Sequence, residues 1–152
     1  MSTPPAWECQ HSVDVDVPQS FAWQYMSDIR NWNDPPAEFS LEGPFAAGTQ
    51  GWTRMPGQPA HSWELRDVEP ERGYTIGGSS LLQGADLLVQ WQFDALAHGR
   101  TRITQRMELS GENATSYVND LKAAFEPNLE PGMLRIARMM TEAAQTARPS
   151  GQ

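Results

Sequence analysis

Only a handful of side chains in this sequence are of a type and in a position to do chemistry. Residues 7–17 alternate: Trp7, Cys9, His11, Val13, Val15 and Val17 share one face, and Glu8, Gln10, Ser12, Asp14 and Asp16 the other. A period of two marks a half-buried strand, and it puts His11 on the apolar side. An imidazole there could act as a general acid or base near neutral pH, or hydrogen-bond a ligand oxygen. The plainer reading is a core or rim histidine satisfied by a neighbour. Gln105 lies between Ile103 and Met107 on an inward face, where a buried amide must find a partner. That partner could be a ligand carbonyl or hydroxyl, His11, or the backbone. Tyr74 could donate a proton or anchor a ligand; equally it could keep its hydroxyl at the surface. Trp63 and Trp91 could stack on a flat ligand, although Trp91 alternates with aliphatics and reads more simply as core. Cys9 has no basic neighbour in sequence, which points to an inert buried thiol. His61, after a Pro-rich loop, and His98, in a turn, read as solvent-exposed.

No motif dictates a reaction. There is no Cys/His spacing for zinc, no phosphate-binding loop, no Gly-x-Gly-x-x-Gly and no Gly-x-Ser-x-Gly. Neither a metal nor a cofactor is expected. The 152 residues carry a formal charge of −8, which argues against nucleic acid and anionic membrane as partners. No apolar run approaches the roughly 18 residues of a membrane span. The opening MSTPPAWECQ lacks a basic region followed by an apolar stretch. Cys9 is the single cysteine, so no intramolecular disulfide forms and a cytoplasmic location is the expectation. The length suits one domain over residues 1–152, with an ordered core from about 6 to 147 and a monomer or homodimer as the assembly.

The elements that must position these side chains can be read along the chain. Residues 19–26 predict a short helix after Pro18, with Phe21, Ala22, Tyr25 and Met26 inward, and residues 27–33 a second helical turn broken by Asp34-Pro35-Pro36. Short strands follow over 38–41, 50–54, 62–68 and 74–78, with a loop over 81–85. The two best later strands are 86–94 and 101–109. On them Leu87, Val89, Trp91 and Phe93 face one way, and Ile103, Gln105, Met107 and Leu109 do the same. Short turns between consecutive strands argue an antiparallel meander. Residues 113–125 predict a helix broken at Glu126-Pro127-Asn128 from the longest one, 130–147. That last helix carries an apolar stripe of Leu129, Met133, Ile136, Met140, Ala143 and Ala147. The class is α+β, with the helix on one face of a sheet curved around it. A stripe rich in Met and Ala adapts to its neighbour and need not fill the space before it.

Three stretches resemble the START-like, Bet v 1-like (SRPBCC) superfamily, and within it the polyketide cyclase/dehydrase-like proteins. One is Val13 to Trp23 continued by Met26-Ser-Asp-Ile-Arg-Asn-Trp32. Another is Gly43-Pro-Phe-Ala-Ala-Gly48 with Trp63-Glu-Leu-Arg-Asp-Val-Glu-Pro70. The third is the order of two long strands before a C-terminal helix. The resemblance implies the helix-grip: a seven-stranded curved antiparallel sheet wrapped around a long C-terminal helix, with two short helices after the first strand and a ligand cavity between sheet and helix. It supplies no shared catalytic residue. Asp28 and Trp32 match its helical signature and read as structural, Asp28 as a local cap.

The inward face is mostly apolar, which suits a small-molecule site. Val13, Trp63, Leu65, Ile76, Val89, Trp91, Gln105 and Met107 from the sheet, with Met133, Ile136 and Met140 from the helix, are the expected ligand contacts. The alternative is that these side chains fill the space completely. Three functions follow. The chain binds a hydrophobic molecule such as a polyketide, lipid or aromatic metabolite. Or it is a cyclase or dehydratase using His11, with Tyr74 or Gln105, for proton transfer. Or it is a protein-interaction module whose contacts are the loops at 55–60 and 81–85.

Overall fold

In the computed structural model, residues 4–32, 37–78 and 82–147 are described. Strand β1 (Trp7–Val15) leads into helix α1 (Gln19–Met26) and a 3-10 turn at Ile29–Asn31. Then come β2 (Glu38–Leu41), β3 (Gln50–Arg54), β4 (His61–Glu69), β5 (Gly73–Gly77), β6 (Asp86–Leu96) and β7 (Arg100–Ser110). A 3-10 turn at Ala114–Tyr117 opens helix α2 (Val118–Ala147). The seven strands form one antiparallel sheet in the order β1-β7-β6-β5-β4-β3-β2, with α2 against it: the helix-grip architecture. A register shift between Leu65 and Asp67 in β4 is a bulge, which bends the strand and adds to the curvature.

Alternation places the side chains as the strand periods require. Trp7 and Val15 are buried at the two ends of β1, with Cys9, His11 and Val13 half-buried between them on the same face. The strand stops two residues short of the expected end, and Val17 stays buried beyond it. The buried Thr101 hydroxyl donates to the Val17 carbonyl at 2.8 Å, satisfying a group that the ladder leaves behind. Pairing sets His11 opposite Gln105, Tyr74 opposite Trp91, and Val89 opposite Met107. Asp28 caps its turn as expected, accepting the Arg30 amide at 3.0 Å. Asn33 to Pro36, Leu81 and Pro149 lie outside the described residues.

The C-terminal helix differs from the expectation. It runs unbroken for 30 residues through Pro127 and Pro131, with no break at 126–128. A proline withholds the amide proton that the carbonyl four residues earlier would accept. Here those carbonyls belong to Ala123 and Pro127, and both residues are exposed, so water can solvate them. Asn128 also turns its side-chain amide back onto the Ala124 carbonyl at 2.9 Å. The inward side continues through Leu121, Phe125, Leu129 and Met133, and its burial outweighs two local defects on the wet side.

Two apolar clusters grip α2. One gathers Trp7, Met107, Leu109 and Ala114 against Leu121 and Phe125, near the helix start. The other gathers Leu65, Phe93, Ile103, Met133 and Met140 with α1. The Trp7 indole stacks near Phe125 and donates to Glu126 at 2.7 Å, pinning the first half of α2 to β1. The loop before β6 is tied down too, since Gln83 and the Tyr117 hydroxyl exchange hydrogen bonds. Among the described residues no helix is long and apolar enough to cross a membrane.

Replacing Pro127 with Ala should raise the unfolding free energy by about 2 kcal/mol. The interior-helix penalty of about 3 kcal/mol is removed, less the roughly 0.4–1 kcal/mol by which proline restrains the unfolded chain. A urea midpoint unchanged from the parent protein would show that this turn does not miss the bond.

Candidate functional site

Where the two clusters meet, helix and sheet leave a cavity of about 750 Å³. Strands β5, β6 and β7 give its floor: Tyr74, Ile76, Trp91, Gln105 and Met107. Helix α2 gives the roof, with Phe125, Leu129, Met133 and Ile136 along the packing stripe, and Asn128, Gly132, Arg135 and Met139 on the row beside it. Those four recur at steps of four, three and four, which is one ridge of a helix. The far wall is Tyr25, Met26, Asn31 and Trp32, with Phe39 of β2.

The aromatic side of the cavity is built as a layered run. Trp63 and Trp32 lie 5.6 Å apart at 25°, Trp32 and Tyr74 6.0 Å apart at 16°, and Tyr74 and Trp91 6.3 Å apart at 24°. Phe45 meets Tyr74 edge-on at 5.0 Å, and Trp23 meets Phe93 edge-on at 6.0 Å. Such offset and edge-on pairs are the favoured arrangements of aromatic quadrupoles. Two of the indoles are locked by their nitrogens: Trp32 donates to the Met26 carbonyl at 2.7 Å, and Trp63 to the Thr53 hydroxyl at 2.9 Å. Gly51 lies where a Cβ would overlap the Trp63 ring, so only glycine lets β3 pass behind it.

Two polar side chains line this apolar space without a hydrogen-bond partner among the described residues. Neither the Tyr74 hydroxyl nor the Gln105 amide is hydrogen-bonded to any of the described residues. Tyr74 is only 2 % exposed, and burial pushes its phenol well above the usual value, so it stays protonated and can donate. The other lining amides are committed. Asn31 donates to the Tyr25 carbonyl at 3.0 Å and Asn128 to Ala124.

Of the residues singled out from sequence, Tyr74, Ile76, Trp91, Gln105, Met107, Met133 and Ile136 meet at this cavity. Trp63, Leu65 and Met140 are core, and Val13 and Val89 pack against that core, so these five stand behind the lining. His11 also stands outside it, half-buried on β1 beside Gln105. Cys9 is half-buried, and burial, then the charge of Glu126, raise its thiol pKa, which keeps it unreactive. His61, expected at the surface, is half-buried at the start of β4, and burial lowers its pKa. Trp32, read as structural, is a wall of the cavity, and Tyr25, Phe125 and Arg135 were not anticipated. For the last two the helical spacing was the available signal: Phe125 is four residues before Leu129, and Arg135 seven after Asn128. No group of three or more His, Cys, Asp or Glu among the described residues could hold a metal.

The family described as polyketide cyclase / dehydrase and lipid transport matches residues 6–141 of this chain. No curated protein matches it. Among solved structures it is similar to norcoclaurine synthase from Thalictrum flavum in complex with dopamine and hydroxybenzaldehyde. The TM-score is 0.70 and the identity 12 %, with 95 % of this chain and 89 % of that one covered. It is also similar to the ZhuI aromatase/cyclase from Streptomyces sp. R1128, with a TM-score of 0.68 and 16 % identity over 95 % of this chain and 98 % of that one. Another similar structure is DynU16, from the dynemicin biosynthetic locus. Its TM-score is 0.62 and its identity 22 %, over 94 % of this chain and 49 % of that one. At these identities the likeness is one of fold.

The buried phenol gives a pH prediction. In the unfolded chain Tyr74 ionises near pH 10, and in the folded chain well above that. Between the two values the folded state holds a proton that the unfolded state has lost, so stability falls as pH rises. Urea midpoints should drop between pH 9 and pH 11, and Tyr74→Phe should flatten that slope. An equal slope in both proteins would place the sensitivity elsewhere.

Proposed function

We propose, from the premise that the chain belongs to the polyketide cyclase/dehydrase and lipid transport family, that it binds a hydrophobic small molecule in the cavity under α2. Polyketides, lipids and aromatic metabolites are the classes in view. One observation carries the reading. A space of about 750 Å³ is walled by apolar and aromatic side chains, and two polar groups lining it, the Tyr74 hydroxyl and the Gln105 amide, take no hydrogen-bond partner among the described residues. That is the usual composition of a ligand pocket: apolar area for affinity, a few polar groups for orientation. The volume suits a drug-sized molecule. The norcoclaurine synthase structure, which holds dopamine and hydroxybenzaldehyde, supports aromatic compounds as occupants of such a fold.

A cyclase or dehydratase acting in the same cavity is the second reading, and Tyr74 is the observation in its favour. A neutral phenol in a dry site can hydrogen-bond a carbonyl and stabilise the charge that develops on its oxygen. Its raised pKa makes it a poor proton source at neutral pH, since an efficient acid or base is matched to the working pH. His11 would act in this reading through Gln105, its cross-strand neighbour, because it does not line the space. Binding therefore ranks ahead of turnover, with Tyr74 and Gln105 as anchors.

Gly132 offers a clean test. It lines the cavity, and a Cβ there meets nothing within 4 Å. Gly132→Leu should occupy space under the helix and lower ligand uptake by about tenfold or more, while raising helix stability by roughly 0.5–1 kcal/mol. Uptake of a naphthalene-type probe, followed by quenching of the tryptophan emission, measures the first, and a urea melt the second. Undiminished uptake in this more stable variant would show that the occupant does not sit under α2.

A further inference from the structure

The two polar side chains of the cavity that lack a hydrogen-bond partner among the described residues lie in one row. Tyr74 of β5 pairs with Trp91 of β6, and Trp91 in turn with Gln105 of β7. Residues directly opposite across strands share a face, so the three stand side by side on the floor with Trp91 in the middle. The Tyr74 and Trp91 rings, 24° from parallel, show this arrangement. Neighbouring strands are about 4.8 Å apart, which sets Tyr74 and Gln105 roughly 10 Å from each other along the row. Side chains of a sheet stand roughly perpendicular to it, so the two polar ends keep about that spacing. The row is also uncharged. The described lining holds no carboxylate, Arg138 is exposed, and Arg135 already has a partner of its own. An ionised ligand group seated on the row would lose its hydration with no opposite charge to replace it. A neutral oxygen loses far less and gains a bond. The buried Tyr74 hydroxyl has a hydrogen to give, and the Gln105 amide can give or accept.

We infer that the ligand is an uncharged, elongated molecule that lies across the strands with an oxygen at each end, one taking the Tyr74 hydrogen and the other bonded to Gln105. This rests on the binding reading above and narrows it: carboxylates, cationic amines and lipids with a single polar head are disfavoured occupants. The body between the oxygens needs no ring to stack on. Ile76 and Met107 of the sheet, with Leu129, Met133 and Ile136 of α2, surround it with aliphatic side chains. The row thus selects for length, because two oxygens set closer together reach only one of the two groups.

The test compares 2,6-diacetylnaphthalene, 2-acetyl-6-ethylnaphthalene and 2,6-diethylnaphthalene, which have nearly one shape, by displacement of N-phenyl-1-naphthylamine from the whole protein. Each carbonyl should tighten binding by about three- to tenfold, the effect of one neutral hydrogen bond. Tyr74→Phe and Gln105→Met should each lose one of these two steps, and the double variant both; uptake of the hydrocarbon shows that a variant is folded. The shorter 1,4-diacetylbenzene should bind no better than 4-ethylacetophenone, because its second carbonyl falls short. Equal binding of the three naphthalenes by the parent protein would overturn the inference and leave the cavity reading standing. So would two steps that survive in Gln105→Met, or a second step of the same size in the benzene pair. Binding of none of them, the displaced probe included, would overturn both.

Discussion

Helix α2 is gripped by two apolar clusters that meet at Leu129, and the rest of the structure depends on that. Thirty residues of helix are about 45 Å long, more than one compact cluster can cover. One cluster, around Trp7, Leu109 and Phe125, fixes the first half to the β1–β7 side of the sheet. The other, around Phe93, Ile103, Met133 and Met140, fixes the second half over the centre. The sheet is curved, bent further by the bulge in β4, while the helix cannot follow it closely. A gap in the middle is the geometric result. Closing it would mean breaking one of the grips.

The gap persists because its walls are stiff. Close-packed interiors leave few voids, and an apolar void loses the dispersion contacts of its lining. Here the aromatic run from Trp63 through Trp32 and Tyr74 to Trp91 is held from behind, by indole hydrogen bonds and by edge-on neighbours such as Phe45. Those rings cannot swing in to fill the space without losing partners on the other side. The same rigidity keeps the Tyr74 hydroxyl in an apolar setting where it is neutral and has its proton to offer.

Much of this could be read from the residues, and the limit is informative. The strict alternation of β1, β6 and β7 gave their faces and, with the short turns, the meander; the stripe from Leu129 to Met140 gave the helix. Alternation says which side chains point inward but not what lies beyond them. Hence Trp63 and Leu65 of β4 proved to be core, while Trp91 and Gln105, read by the same rule, face the cavity. The prolines misled because their cost depends on which side of the helix they occupy. Pro127 and Pro131 are exposed, and so are the residues whose carbonyls they release, so water can reach those carbonyls. Arg135 went unnoticed because it sits beside the apolar stripe, on the flank where polar residues are ordinarily solvated.

Those prolines also decide how the roof of the cavity bears load. With Gly132 next to them, they take two amide protons and one side chain out of the turn-and-a-half of helix that overhangs the space. Bending α2 there breaks two fewer backbone bonds than bending it anywhere along the gripped ends. The helix is thus a beam with stiff ends and a compliant middle, and the compliant part is the one above the cavity.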